Sequence, residues 1–119
     1  MTYALKSHNE GMMGSTDLHT RAKFDNEERP LIPENPAEKG FQVETMEMTP
    51  NDMLIHNGRT WHYSGPNKIE GYTRRGISIR FIISEVVFDP RPGQGAAFTK
   101  QIDIERGEVL DSPAFPHMK

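Results

Sequence analysis

Asp52-Met53-Leu54-Ile55-His56-Asn57-Gly58-Arg59-Thr60-Trp61-His62-Tyr63, followed after a loop by Arg74-Arg75-Gly76-Ile77-Ser78-Ile79-Arg80-Phe81, is the stretch that decides the fold. Pro50-Asn51-Asp52 marks a turn, and Met53–His56 reads as a short apolar strand. Asn57-Gly58 is a strong tight-turn pair, because both residues tolerate positive φ. Thr60–Tyr63 then returns as the partner strand. Ser64–Tyr72, with Gly65-Pro66-Asn67, is a second loop. Gly76–Phe88 carries the clearest strand pattern in the chain. Its odd positions Ile77, Ile79, Phe81 and Ile83 form an apolar face, and Arg74, Gly76, Ser78 and Arg80 form the other, which is the period-2 alternation of a pleated strand.

Working outward, Phe41, Val43 and Thr45 alternate with Gln42 and Glu44, which predicts a half-buried strand. The phase slips at Met46 and Met48, as a bulge would cause. Residues 1–6 read as the end of a short strand with Tyr3 and Leu5 on one face. Ser7–Gly40 has no sustained period and reads as a long loop with one short helical turn near Asp17–Lys23. After Asp89 the chain is turn-rich to its end. No internal repeat and no convincing helical periodicity occur. The expected class is all-β with long loops, in a single domain over residues 1–119 whose core spans residues 41–88.

The bulk numbers agree with a turn-rich chain that has limited core material. Of 119 residues, 34% are hydrophobic, and there are nine prolines and ten glycines; mean hydropathy is −0.70. A net charge of −3 leaves no basic footprint for nucleic acid or for an acidic membrane surface. Cysteine is absent, which excludes disulfides and thiolate metal sites. No apolar run approaches the roughly 20 residues needed to span a bilayer, and the first residues have no signal-peptide pattern. A soluble, cytoplasmic protein is expected.

Five histidines occur, and a lone histidine is more often structural than ligating. His62 stands out because it ends a short hairpin, beside Trp61 and ahead of Arg74. Neutral imidazole is a common ligand for iron, copper or zinc, and arginine can take a carboxylate bidentately. The polar face holding Arg74, Ser78 and Arg80 would line a cavity if it were interior. The commoner outcome in antiparallel sheets is that such a face meets solvent, and periodicity alone leaves both open.

Residue by residue, Asp52–Asn67 followed by Arg74–Phe81 resembles the C-terminal signature of the phytanoyl-CoA dioxygenase family. Leu5–Gly11 is similar to that family's Pro-Gly-Ser-His loop, with Lys6 in place of glycine, and Gly107–Pro116 is similar to its closing segment. The resemblance implies a partial double-stranded β-helix (a cupin-like jelly roll). It also implies an Fe(II) cofactor, 2-oxoglutarate as co-substrate, and hydroxylation of a small organic substrate. His62 matches the distal iron-binding histidine. Arg74 matches the arginine that pairs with the far carboxylate of 2-oxoglutarate. Arg75 is the alternative, because the Ile69–Thr73 loop is about one residue longer than the family form; strand parity puts Arg75 on the apolar face and favours Arg74. Ser78 would assist the same carboxylate. His56, Trp61, Asn67 and Arg80 are the substrate-cavity candidates, with Asn67 expected to shape its turn more than to touch substrate.

The family's iron site also needs a His-x-Asp pair upstream of the Ser-His loop, and the resemblance implies that this chain begins after it. His8-Asn9-Glu10 is the one substitute, with His8 and Glu10 as extra metal candidates. Two other readings stand beside the oxygenase. One is a non-catalytic β-barrel module that binds a small carboxylate through Arg74 and Arg80. The other is an incomplete domain that pairs its exposed strand edges with another copy. Substrate identity is not legible, since its determinants would lie in a variable loop such as Met12–Gly40.

Overall fold

The computed structural model of the chain describes residues 1–17, 19–25, 27–83, 85–90 and 102–115. Leu18, Asn26, Ser84, residues 91–101 and residues 116–119, His117 among them, lie outside these residues, with the expectations that fall on them. Two compact units form. The first comprises Met1–Met13 with Arg29–Ile79, and the second Gly14–Glu28 with Arg80–Lys119.

The first unit is organised by a three-stranded antiparallel sheet of order β2-β1-β3, where β1 is Thr2–Ala4, β2 is Val43–Thr45 and β3 is His62–Tyr63. The strand read at residues 1–6 is present, and both of its edges are used. Thr2 lies opposite Thr45 on one side and Tyr63 on the other, while Tyr3 lies opposite Glu44 and His62. The ladder extends beyond the strands through Ala4 N–H to Trp61 O at 3.0 Å, Leu5 N–H to Gln42 O at 2.8 Å and Met46 N–H to Met1 O at 2.8 Å. Thr2 and Thr45 also share a hydroxyl hydrogen bond of 2.8 Å. Being central, β1 is buried throughout, and Tyr3, Ala4 and Trp61 form the core of this unit. Phe41 packs on Trp61 with ring centroids 4.8 Å apart.

Only part of the expected strand content is realised. Met53–His56 forms no strand, and residues 76–83 form none either. Their apolar side chains stand in solvent, with Ile77 93% and Phe81 71% exposed. A strand exists only where its N–H and C=O groups meet a partner. Both edges of β1 are occupied, and among the described residues no ladder forms along 76–83. In β2 the sides are the reverse of the alternation: Val43 and Thr45 are exposed and Glu44 is half-buried.

A 3-10 helix at Pro36–Lys39 was not expected, yet its local cause is plain. Asn35 Oδ1 accepts from Ala37 N–H, proline occupies the first turn, and Gly40 ends it at φ 86°, where glycine carries no Cβ penalty. In the second unit the expected helical turn near Asp17–Lys23 is instead a tight loop. It is closed by a bridge between Thr16 and Lys23, and Asp17 Oδ1 accepts from the His19 and Thr20 N–H groups, each at 2.8 Å. The same unit pairs Val87 with Val109 and buries Phe88, so the end of the predicted long strand does find a partner, in the closing segment. Among the described residues there is no α-helix and no helix long and apolar enough to cross a membrane. Among the described residues the secondary structure is strand, short 3-10 helices and irregular chain, consistent with an all-β class.

Candidate functional site

Ser7 is the local origin of the site. Lys6 adopts φ 63°, ψ 3°, a left-handed turn that reverses the chain after β1 and starts the 3-10 helix Ser7–Glu10. The turn drops the Ser7 side chain, 0% exposed, between β1 and the approach to β3. Its Oγ donates to Ala4 O at 2.7 Å and accepts from Trp61 N–H at 2.8 Å. One hydroxyl thereby satisfies two buried backbone groups, and it fixes the residue immediately before His62. The sequence contained the signal, the Ser-His pair of the Leu5–Gly11 loop, but the reading gave Ser7 no role.

His62 projects from β3, exposed, with Nδ1 2.8 Å from Thr60 O. His56 is likewise exposed, with Nδ1 3.0 Å from Asn57 O. A carbonyl oxygen only accepts, so each Nδ1 carries the hydrogen, and in the neutral ring Nε2 is the available lone pair. The two imidazole centroids are 4.7 Å apart at 57°. Tyr3 lies close to both, 5.1 Å from His56 and 5.6 Å from His62. Tyr3 Oη and Trp61 Nε1 are buried without a hydrogen-bond partner.

Beside this cluster runs an open cleft of about 260 Å³ lined by Tyr3, Leu5, Lys6, His8, Met46, Leu54, Ile55, His56, Asn57 and Thr60. His8 and His56 therefore share a cleft, while Glu10 is exposed at the end of its 3-10 helix. Trp61 is buried in the core rather than among the cleft residues.

The loop after β3 is tied together by Asn67, whose side chain donates to Tyr72 O and accepts from Ile69 N–H. Asn67 thus shapes its turn. The loop brings Arg74 back so that Nη1 donates to Gly65 O at 3.2 Å, three residues beyond His62 and so within roughly 10 Å of extended chain. Arg75 and Ser78 are exposed, and so is Arg80 in the second unit. With no strand formed there, parity does not separate Arg74 from Arg75; the Arg74–Gly65 hydrogen bond does distinguish them.

At the other end of the signature, Asp52 closes its turn by accepting from Thr49 N–H at 2.6 Å and Thr49 Oγ1 at 3.0 Å. The backbone bond first, then the hydroxyl, holds the Asp52 carboxyl below the ordinary carboxylate range. Asp17 is lowered in the same way, first by Thr20 N–H and then by His19 N–H.

A family model described as phytanoyl-CoA dioxygenase matches residues 6–76. The chain belongs to the phytanoyl-CoA dioxygenase family. The match takes in more than half of the chain, from Lys6 through Ser7, His62 and Arg74 to Gly76. No curated protein and no solved structure matches the chain. Family membership places it among oxygenases that typically depend on iron and 2-oxoglutarate.

The donor set among the described residues is incomplete for an iron site. His62 and His56 present imidazoles whose Nδ1 groups are held by carbonyls, as ligating histidines usually are. Among the described residues no group of three or more histidine, aspartate or glutamate side chains could hold a metal ion.

Proposed function

We propose that this protein is an Fe(II)- and 2-oxoglutarate-dependent oxygenase of the double-stranded β-helix type that hydroxylates a small organic substrate. In this reading His62 is the distal metal ligand and Arg74 the anchor for 2-oxoglutarate. The observation that carries it is the family match over residues 6–76, which spans both residues.

The bound metal and co-substrate supply the oxidising chemistry. The chain's own residues position and neutralise. Thr60 O holds the His62 Nδ1–H, which fixes the ring orientation and leaves Nε2 to the metal. Ser7 holds the Trp61 backbone, and so the rise of β3 that carries His62. Arg74 offers a planar, permanently charged fork to the far carboxylate, and the Ser78 hydroxyl adds a donor on the same segment. Arg75 and Arg80 are spare cations nearby in sequence.

Calorimetric titration of 2-oxoglutarate into the Fe(II)-loaded protein under anaerobic conditions tests the anchor. Arg74→Ala is expected to weaken binding about thirtyfold, as loss of charge-assisted hydrogen bonds does, while Arg75→Ala stays within about twofold. Equal losses in both variants, or no metal-dependent binding of 2-oxoglutarate by the wild type, would overturn the assignment.

A further inference from the structure

We infer that the Asn57–Thr60 turn is a self-modification site, at which the Asn57 side chain cyclises onto Gly58, loses ammonia and leaves an acidic residue on the cleft wall beside His56. The inference is independent of the metal and co-substrate assignments.

The reaction needs a side-chain amide, a free main-chain N–H on the following residue, and room for the two to meet. Of the chain's asparagines only Asn57 is followed by glycine, which puts no Cβ beside the attacking nitrogen. Asn57 and Gly58 are both exposed, and no atom stands within 4 Å of where a Gly58 Cβ would be. Among the described residues neither the Gly58 N–H nor Asn57 Nδ2 has a hydrogen-bond partner. The attacking and the leaving nitrogen are therefore both unrestrained.

The turn also receives the charge that develops. Proton loss from the Gly58 N–H puts negative charge on the oxygen of the same peptide group, Asn57 O. That oxygen accepts from Thr60 N–H at 2.9 Å and from His56 Nδ1–H at 3.0 Å. Attack on Asn57 Cγ puts charge on Oδ1, which accepts from Arg59 N–H at 2.9 Å. Donors already aimed at the atoms that become negative lower a barrier without reorganisation. Other asparagines lack this setting. Asn35 precedes Pro36, which has no N–H to attack with. Asn67 precedes Lys68, and its side chain is tied at both ends, to Tyr72 O and Ile69 N–H.

The step balances with water alone. Gly58 N bonds to Asn57 Cγ, the Cγ–Nδ2 bond breaks, and Nδ2 leaves as ammonia with the proton from Gly58 N. Water then opens the cyclic imide at either carbonyl, giving an aspartyl or an isoaspartyl residue at position 57. Either product adds a negative charge to a cleft that also holds Lys6 and His8. The isoaspartyl form also lengthens the main chain inside the turn. It thereby displaces Thr60, whose carbonyl holds the His62 ring.

The test is incubation of the whole chain at fixed neutral pH and temperature, beside the same chain unfolded in urea. Released ammonia and mass-spectrometric peptide mapping of residues 53–61 read the conversion, and circular dichroism reports folding of each variant. Conversion at position 57 is expected to be faster in the folded chain than in the unfolded one, with Asn35 and Asn67 unchanged over the same period. Gly58→Ala is expected to slow it about tenfold, equivalent to about 1.4 kcal/mol at the barrier. His56→Phe, which keeps a ring against Tyr3 but removes the donor to Asn57 O, is expected to slow it about threefold, the weight of one neutral hydrogen bond. In the unfolded chain His56→Phe should have no effect, which separates the hydrogen bond from any influence of sequence alone. A folded rate at or below the unfolded one overturns the inference, and so does a wild-type rate in folded His56→Phe or in Gly58→Ala.

Discussion

Residues 1–7 and residues 76–83 are both rich in strand-forming side chains, yet they end in opposite states. β1 is paired along both of its edges, and Tyr3, Ala4, Ser7 and Trp61 are buried. Residues 76–83 have the stronger alternation, Ile77, Ile79, Phe81 and Ile83 against Ser78 and Arg80, and every described position there is exposed. The difference lies in hydrogen-bond partners, not in propensity. An apolar face stabilises only when something removes it from water, and a ladder forms only where an edge is available.

The largest expected effect breaks this comparison directly. Trp61→Ala is expected to cost about 3–5 kcal/mol, the usual range for deleting a buried aromatic, enough to unfold the sheet. Ile77→Ala should stay within about 0.5 kcal/mol, as exposed positions do. Urea midpoints read both, and amide exchange adds a second view, with Trp61 and Ala4 protected and Ile77 and Ile79 not. A large cost at Ile77 would mean that this segment is paired in solution.

Ser7→Ala comes next, because it leaves Trp61 N–H and Ala4 O buried without a partner. It is expected to cost about 1–3 kcal/mol by the same midpoint, and Ser7→Gly would not relieve it. Lys6→Gly should act in the opposite direction. The left-handed backbone at Lys6 burdens any residue with a Cβ, so glycine is expected to stabilise by about 0.5–1 kcal/mol; a destabilised Lys6→Gly would show that the turn is held otherwise.

The smallest effect is acid sensitivity at the turn that opens the signature. The Asp52 carboxyl is lowered by its bonds from Thr49, so the folded state favours the charged form. That contribution is fully present above the ordinary carboxylate value. It is lost as pH falls through that value toward the lower folded one. Asp52→Asn should therefore lower stability slightly at neutral pH and flatten the profile, so that the variant and the wild type converge as pH falls below about pH 4. The carboxyl carbon shift of Asp52 followed by pH titration reads the same quantity site by site.

Several local structures were legible because their causes are local. The β1 strand, the Asn57–Thr60 turn and the turn-shaping role of Asn67 follow from residue types within a few positions. The Pro36–Lys39 3-10 helix was equally legible, in Asn35, Pro36 and Gly40, but its shortness hides it from any test of periodicity. What periodicity misjudged was the long apolar segment, since alternation states which faces differ and not whether a partner covers one. Ser7 escaped notice for a related reason. Its partners, Ala4 and Trp61, are close in space, while Trp61 is remote in sequence.

The sequence by itself determined the family, through His62, Arg74 and their framing turns, because that signature is a matter of residue types in order. It also excluded thiolate from any metal chemistry, because the chain has no cysteine. Only the tertiary structure decided that Ser7 clamps β1 to the strand of His62, that His56 stands 4.7 Å from His62, and that Arg74 rather than Arg75 reaches Gly65 O. Those facts depend on which backbone edges pair. Pairing between residues tens of positions apart is set by competition for hydrogen-bond partners across the whole chain, which no local pattern records.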